Sequence, residues 1–193
     1  MGNQFVPDKR IYKVVLMGEG GVGKTSLRKR YLGEGFKSNY MATIGADFGI
    51  HRLNEEGTEI VQIWDLAGQQ RFSVVREMYY LGTKAAVLAY DITRADTFYT
   101  IPNWIEELLK NVNRDDPIPM ALVANKVDLR DQDDGSFITK EQGIQYASDL
   151  SAWVKMDVPY IETSAKTGLN VNKMFETLVA NIKFTDGSAF HIS

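Results

Sequence analysis

No cysteine occurs anywhere in the 193 residues. That absence excludes disulfides, thiolate zinc sites, cysteine nucleophiles and every lipid anchor carried on sulfur. Charge of one sign is also scarce, because 22 basic side chains stand against 25 acidic ones for a net charge of -3. No field of that size gathers nucleic acid or an anionic membrane by itself, so neither is expected as a direct partner. Long hydrophobic runs are missing too. The longest, such as 85–90, are about six residues, far short of the ~20 that a bilayer span requires. The first residues lack an apolar signal core, and Val6 stands where a myristoylation signal wants Ser or Thr. The expectation is a cytoplasmic monomer. What is present is ordinary for a folded protein: 44% apolar and 24% charged residues over a length that favours one domain.

Short apolar runs at 11–17, 84–90, 118–124 and 158–161 do not alternate, so they read as strands buried on both faces. Between them, apolar residues recur with helical spacing at Phe98, Ile101, Ile105, Leu108, Leu109 and Val112, and again from Val171 to Ile182. One region differs. Phe48, Ile50 and Leu53 alternate, Asn54-Glu55-Glu56-Gly57 supplies turn chemistry, and a strand resumes at 60–64, which makes a hairpin. The pattern predicts a three-layer α/β domain: a six-stranded, mostly parallel sheet with one antiparallel strand and helices on both faces. The domain is expected over residues 11–183, with an extension at 1–10 and a short tail at 184–193. The charged stretch 130–135 reads as a solvated loop before a helix starting near Thr139.

Directly after the first strand comes Gly18-Glu19-Gly20-Gly21-Val22-Gly23-Lys24-Thr25, followed by Ser26. This is the spacing Gly-x-x-x-x-Gly-Lys-Ser/Thr in a strand-to-helix context, the arrangement of a P-loop NTPase. Glycines open backbone dihedrals that let main-chain N–H groups converge on phosphate oxygens, while the following helix aims its positive end at them. Lys24 is expected to reach the β and γ phosphates, and Thr25 to place its hydroxyl on Mg²⁺, a hard cation that prefers oxygen. At the end of the hairpin strand, Asp65-Leu66-Ala67-Gly68 offers a carboxylate for Mg²⁺ and a glycine amide for a γ-phosphate. Taken alone, that second pattern also fits an ordinary turn.

Two further motifs choose the base. Asn125-Lys126-Val127-Asp128 and Ser164-Ala165-Lys166 each follow a predicted strand, at the sheet edge where open α/β folds bind ligands. Guanine presents two donors, N1–H and the 2-amino group, which one carboxylate accepts in parallel, and Asp128 suits that role. Adenine has no donor at N1 and would leave Asp128 badly paired, a mismatch able to discriminate by ~10⁴–10⁵. Asn125 is expected to hold the base at N7 and tie loops together, the Lys126 stem to cover one ring face, and the Ala165 amide to donate to O6. In isolation, residues 125–128 also fit a turn with a capping Asp.

At these residues the chain resembles a small GTPase of the Ras superfamily, over essentially all of 11–183. It is most similar to the Rab branch, which acts in vesicle trafficking, through Thr43-Ile44-Gly45-Ala46-Asp47-Phe48, Gln62-Ile63-Trp64-Asp65, Ala67-Gly68-Gln69-Gln70-Arg71-Phe72, Tyr79-Tyr80 and Tyr90-Asp91-Ile92-Thr93. The resemblance implies that Phe36 packs edge-on against guanine, Tyr40 closes over the phosphates, Thr43 joins Mg²⁺ when the γ-phosphate is present, and Gln69 orients the attacking water. Leu66 and Gln70 replace the usual Thr and Glu, at positions not expected to touch phosphate. Glu19 is bulky inside the phosphate loop, with its side chain expected to turn away. Without cysteine, the prenyl anchor of Rab proteins is excluded for this chain, and recruitment to membranes would fall to a partner.

The function expected is a switch that binds GTP or GDP with Mg²⁺ and hydrolyses GTP slowly. No arginine stands out as a transition-state group in cis; Arg71 and Arg76 read as facing solvent or a partner. Intrinsic turnover should lie on the order of 10⁻⁴ to 10⁻² s⁻¹, with a partner's arginine able to add ~10³–10⁵. The γ-phosphate would order 36–47 and 66–80, and effectors, exchange factors and activating proteins would read 36–48 and 64–80. Ile44, Phe48, Trp64, Phe72 and Tyr79 are the apolar candidates there, about half of them expected to be core. The alternative is a GTP-bound scaffold without useful turnover, against which Gln69 and Thr43 argue. An ATP-driven enzyme conflicts with Asp128.

Overall fold

The computed structural model describes residues 9–35, 42–69, 72–112 and 118–187. Strand β1, Arg10–Met17, is buried at every position from Val14 onward. Val14 and Leu16 enter one apolar cluster while Val15 and Met17 enter the other, so both faces of the strand are covered. It lies at the centre of a six-stranded sheet in which parallel partners flank it, β3 (Glu59–Leu66) on one side and β4 (Ala85–Asp91) on the other. Beyond β4 come β5 (Met120–Asn125) and β6 (Tyr160–Glu162), both parallel; beyond β3 lies β2 (Ala46–Arg52), the antiparallel edge. The expected hairpin is present. Its turn is held by the Asn54 side chain, whose Oδ1 accepts from the amides of Thr58 at 3.0 Å and Glu59 at 3.1 Å.

Two strands begin later than their apolar runs. Ile118 and Val158 are buried, yet β5 opens at Met120 and β6 at Tyr160. Pro119 and Pro159 explain the delay: neither has an amide for the ladder, though both offer a carbonyl, to Ala86 and Leu122. Ile118 and Val158 are apolar because they are covered.

Helices α1 (Lys24–Tyr31) and α6 (Val171–Thr185) cover one face, where Leu27, Met174, Phe175 and Leu178 meet Val14, Leu16 and Val87. On the other face, Phe98, Trp104, Ile105 and Leu150 meet Val15, Met17 and Leu88. There the expected single helix is two, α3 (Ala95–Tyr99) and α4 (Ile101–Asn111), the second with Pro102 in its opening turn. Pro102 has no N–H to return to Phe98, so the helical ladder breaks where α3 ends. A short helix α2 occupies Ser73–Glu77. Helix α5 (Lys140–Val154) opens on a reciprocal capping box between Thr139 and Gln142, as expected. The charged stretch before it is part 3₁₀ turn, over Val127–Gln132, because Arg130 folds back onto Glu162 at 2.6 Å. The three-layer arrangement thus matches the sequence expectation, and the carboxyl ends of β1, β3, β4, β5 and β6 all open on one edge.

Candidate nucleotide-binding site

The loop leaving β1 follows the glycine pattern. Gly18, Gly21 and Gly23 have φ of +133°, +81° and +104°, a region closed to most side chains. A Cβ on Gly18 would overlap the Ala89 carbonyl, and one on Gly23 the Asn125 amide. α1 starts at Lys24 with no acidic residue in its first turn, leaving its positive end uncompensated, and Ser26 sits half-buried behind Thr25. Lys24 is buried across the loop, donating from Nζ to the carbonyls of Gly18 at 2.6 Å and Glu19 at 2.9 Å. Burial pushes its ammonium down to about 8, with Asp65 and Glu19 opposing.

Three oxygen-bearing side chains from three segments converge beside it. Thr25 donates to Asp65 Oδ2 in a short hydrogen bond, Thr43 Oγ1 lies 3.2 Å from Thr25 Oγ1, and it lies 3.4 Å from Asp65 Oδ2. Asp65 is fully buried, and its Oδ1 has no hydrogen-bond partner. Burial raises its carboxyl above the ordinary value despite Thr25 and Lys24. A dry carboxylate with one orphaned oxygen and two hydroxyls gathered at the other fits Mg²⁺, which takes few protein ligands and completes its shell with phosphate and water. Among the described residues no group of three or more His, Cys, Asp or Glu could hold a metal ion, so a site built on carboxylates alone is absent there.

After Asp65, the chain passes against the phosphate loop at Gly68, where a Cβ would stand 2.7 Å from the Glu19 carbonyl oxygen and nearer still to Glu19 C and Gly20 N. Gln69 follows, its own carbonyl held at 2.9 Å by Arg76 Nη1. Arg76 corrects the sequence reading. It is buried at 1% exposure, forms a two-pronged pair with Glu107 at 2.7 Å, donates also to the Ala67 carbonyl, and lies 4.4 Å from the Trp104 ring centroid. Arg71, Phe36 and Tyr40 lie outside the described residues.

The base loops are tied to the phosphate loop by one side chain. Asn125 Nδ2 donates to the Val22 carbonyl at 2.8 Å, while its Oδ1 accepts from Thr163 Oγ1 and the Ala165 amide, each at 3.2 Å. The loop-tying role expected of Asn125 is therefore visible, and the Ala165 amide expected at O6 points to Asn125. Lys126 sits at φ +67°, and its Nζ pairs with buried Asp91 at 2.6 Å, which draws the stem straight. Asp128 Oδ1 accepts from Ser164 Oγ at 2.6 Å, and Lys166 Nζ lies 3.9 Å from its other oxygen. Ser164 in turn accepts from the Thr167 amide at 3.1 Å.

Two groups escaped the sequence reading besides Arg76. Arg94 donates to the Gly20 carbonyl at 2.9 Å and to Asp96 at 2.7 Å. Arg30 donates to the carbonyls of Ala165 and Lys166. Of the apolar candidates, Ile44 and Phe48 are exposed at 79% and 51%. Trp64, Phe72 and Tyr79 are half-buried, Trp64 lying between Phe48 and Tyr79 with ring centroids 5.2 and 5.4 Å away.

A glycine-lined phosphate loop, an oxygen triad and a carboxylate-bearing base loop along one sheet edge define a P-loop nucleotide-binding protein. The sequence model of the Ras family matches residues 13–184. Among curated proteins, the Ras-related protein Rab-7a of Dictyostelium discoideum is 37% identical over 188 residues, covering 95% of this chain and 89% of that protein. The Ras-related protein Rab7 of Pisum sativum is 36% identical, covering 90% and 84%. The GTP-binding protein YPT53 of Saccharomyces cerevisiae is 40% identical, covering 86% and 74%. The chain belongs to the Ras family, as a small GTPase of the Rab branch.

Proposed function

We propose that the chain is a guanine-nucleotide switch of residues 11–183 that binds GTP and GDP with Mg²⁺ and hydrolyses GTP slowly. The observation that carries this reading is the reach of Asn125 from the Val22 carbonyl to the Ala165 amide. Phosphate cradle and base loop are thereby one unit, with Asp128 steadied by Ser164 to accept the paired donors of guanine. The amides of Gly20, Gly21, Val22 and Gly23 face the polyphosphate, Lys24 anchors it, and Lys126 covers the base. Thr25, Thr43 and Asp65 would hold Mg²⁺, which neutralises charge on phosphate oxygens when bound. The Gly68 amide receives the γ-phosphate and Gln69 orients water, so the rate rests on positioning. Loss of the γ-phosphate would release 36–47 and 66–80 and alter what partners meet on Ile44, Phe48 and Trp64. No helix among the described residues is long and apolar enough to cross a membrane, which fits recruitment by a partner in membrane trafficking.

Denaturing the purified protein and chromatographing the released nucleotide tests base and occupancy together; adenine nucleotide in place of GDP or GTP refutes the reading. Replacing Asp128 by Asn should move preference from guanine towards xanthine, and unchanged guanine affinity overturns the base assignment. Single-turnover hydrolysis with magnesium excludes the scaffold alternative if the rate exceeds that in buffer.

A further inference from the structure

The loop that reads the base has no support from the strands on its outer side. Ser164 lies beyond the end of β6, and the run 164–168 turns back so that the Gly168 amide donates to the Ser164 carbonyl at 2.8 Å. Inside, the loop is held by Asn125 and Asp128. Outside, two consecutive carbonyls, those of Ala165 and Lys166, both take a hydrogen bond from the Arg30 guanidinium, the first from Nε at 2.9 Å and the second from Nη2. Arg30 lies on α1, two turns along from Lys24 and Thr25. Gly168 packs beside it: the glycine sits at φ +91°, and a Cβ there would meet the Arg30 Cδ in ordinary contact at 3.7 Å.

In a trans peptide the carbonyl and the next amide point in opposite directions. Fixing the outward carbonyls of Ala165 and Lys166 therefore fixes the amides of Lys166 and Thr167, and the Thr167 amide donates to Ser164 Oγ, which in turn donates to Asp128. A guanidinium suits the task, because it is always charged and presents donors in a rigid fork that spans both acceptors. We propose that Arg30 is a positioning residue for guanine recognition: a strut on the phosphate-binding helix that, through the Thr167 amide and Ser164, holds the Asp128 carboxylate at the paired donors of the base and so lengthens nucleotide residence. The proposal rests on the guanine reading above. It also couples the two ends of the site, since the helix that begins at Lys24 and Thr25 carries the group that sets the base loop.

The test compares the full-length protein with Arg30→Ala and Arg30→Lys. Each is loaded with a fluorescent GDP and chased with excess GDP in magnesium. Arg30→Ala should release nucleotide ~10-fold faster, as expected for losing hydrogen bonds from a charged donor, and Arg30→Lys, which reaches one carbonyl, should fall between. The deciding readout is chemical. 6-Thioguanosine diphosphate changes only the C6 acceptor, and inosine diphosphate removes only the 2-amino donor that Asp128 receives. Arg30→Ala should shrink the inosine penalty at least threefold and leave the sulfur penalty within twofold. Equal loosening toward every nucleotide, or release at the wild-type rate, overturns the proposal. Failure of the wild-type protein to bind GDP at all would instead strike the guanine reading.

Discussion

Replacing Gly68 by Ala puts a methyl group where two backbones cross. The new Cβ would stand 2.7 Å from the Glu19 carbonyl oxygen, with Glu19 C and Gly20 N nearer, whereas ordinary contact begins at 3.4 Å. Side chains can rotate away from such an overlap, but these are main-chain atoms of the phosphate loop. The two loops must part by about 0.7 Å along that one direction and by more along the others, a displacement of the size that costs ~10²-fold when it falls on reacting groups. Overpacking of this kind also costs about 1–3 kcal/mol of stability, roughly 2–12 °C in melting temperature for a domain of this length. Gly82→Ala is the matched control: Gly82 has φ +74° but nothing within 4 Å of a built Cβ. It should lose about 1–2 kcal/mol to backbone strain alone and keep full activity. Single-turnover GTP hydrolysis and thermal melting of both variants decide the matter. If Gly68→Ala hydrolyses GTP within twofold of wild type while melting lower, the glycine serves only packing and the reasoning fails.

Two further predictions concern ion pairs that stand behind or outside the nucleotide site. Arg76→Met strips Glu107 of its two-pronged partner and the Ala67 and Gln69 carbonyls of their donor, and chemical denaturation should find it about 3 kcal/mol less stable; a loss under 1 kcal/mol would mean water replaces the pair. Glu59 receives Lys183 Nζ at 2.7 Å and the Tyr12 hydroxyl at 3.0 Å, and the Lys183 hydrogen bond, ahead of the opposing burial, holds its carboxyl below the ordinary 4.5. A lowered folded value contributes stability that is complete above 4.5 and lost as pH falls from there through the folded value, so Glu59→Gln should melt lower than wild type at pH 7 and by a smaller margin at pH 3. A constant difference between the two pH values would assign the effect to shape alone.

How far the sequence spoke depended on how local each constraint was. Gly18, Gly21 and Gly23 announced the phosphate loop because a positive φ is a property of one residue, and only glycine enters it cheaply. Asp65 and Thr25 were legible for a related reason: the end of β3 and the first turn of the helix after β1 deliver them to one sheet edge whatever the packing in between. The break between α3 and α4 was written in Pro102, but apolar spacing continues across it, and periodicity alone runs the two helices together. Ile118 and Val158 read as strand because burial and strand pairing leave the same apolar mark. Arg76 reads as facing solvent or a partner, since nothing in its neighbours marks Glu107, 31 residues away, as its partner. Arg30 and the Ala165 carbonyl are 135 residues apart, and a carbonyl acceptor exists at every position, so no pattern could single that one out.

The arginines that escaped notice share one physical cause. A loop that turns successive amides toward a polyphosphate or a base must turn carbonyls the other way. Those carbonyls lie at the site's outer wall, where strands have ended and no ladder supplies donors, and a buried acceptor left unpaired is costly. Arg94 meets the Gly20 carbonyl, Arg76 the carbonyls of Ala67 and Gln69, and Arg30 those of Ala165 and Lys166. Each guanidinium comes from a different element than the loop it holds. Phosphate loop, γ-phosphate loop and base loop are therefore fastened to the scaffold from behind, by groups that stay charged at any physiological pH. Exposure separates two of the fastenings: Arg76 is buried, whereas Arg94 is 43% exposed and paired with exposed Asp96. Water competes for the Gly20 carbonyl and hardly for that of Ala67, so of these two fastenings salt weakens the phosphate loop's first.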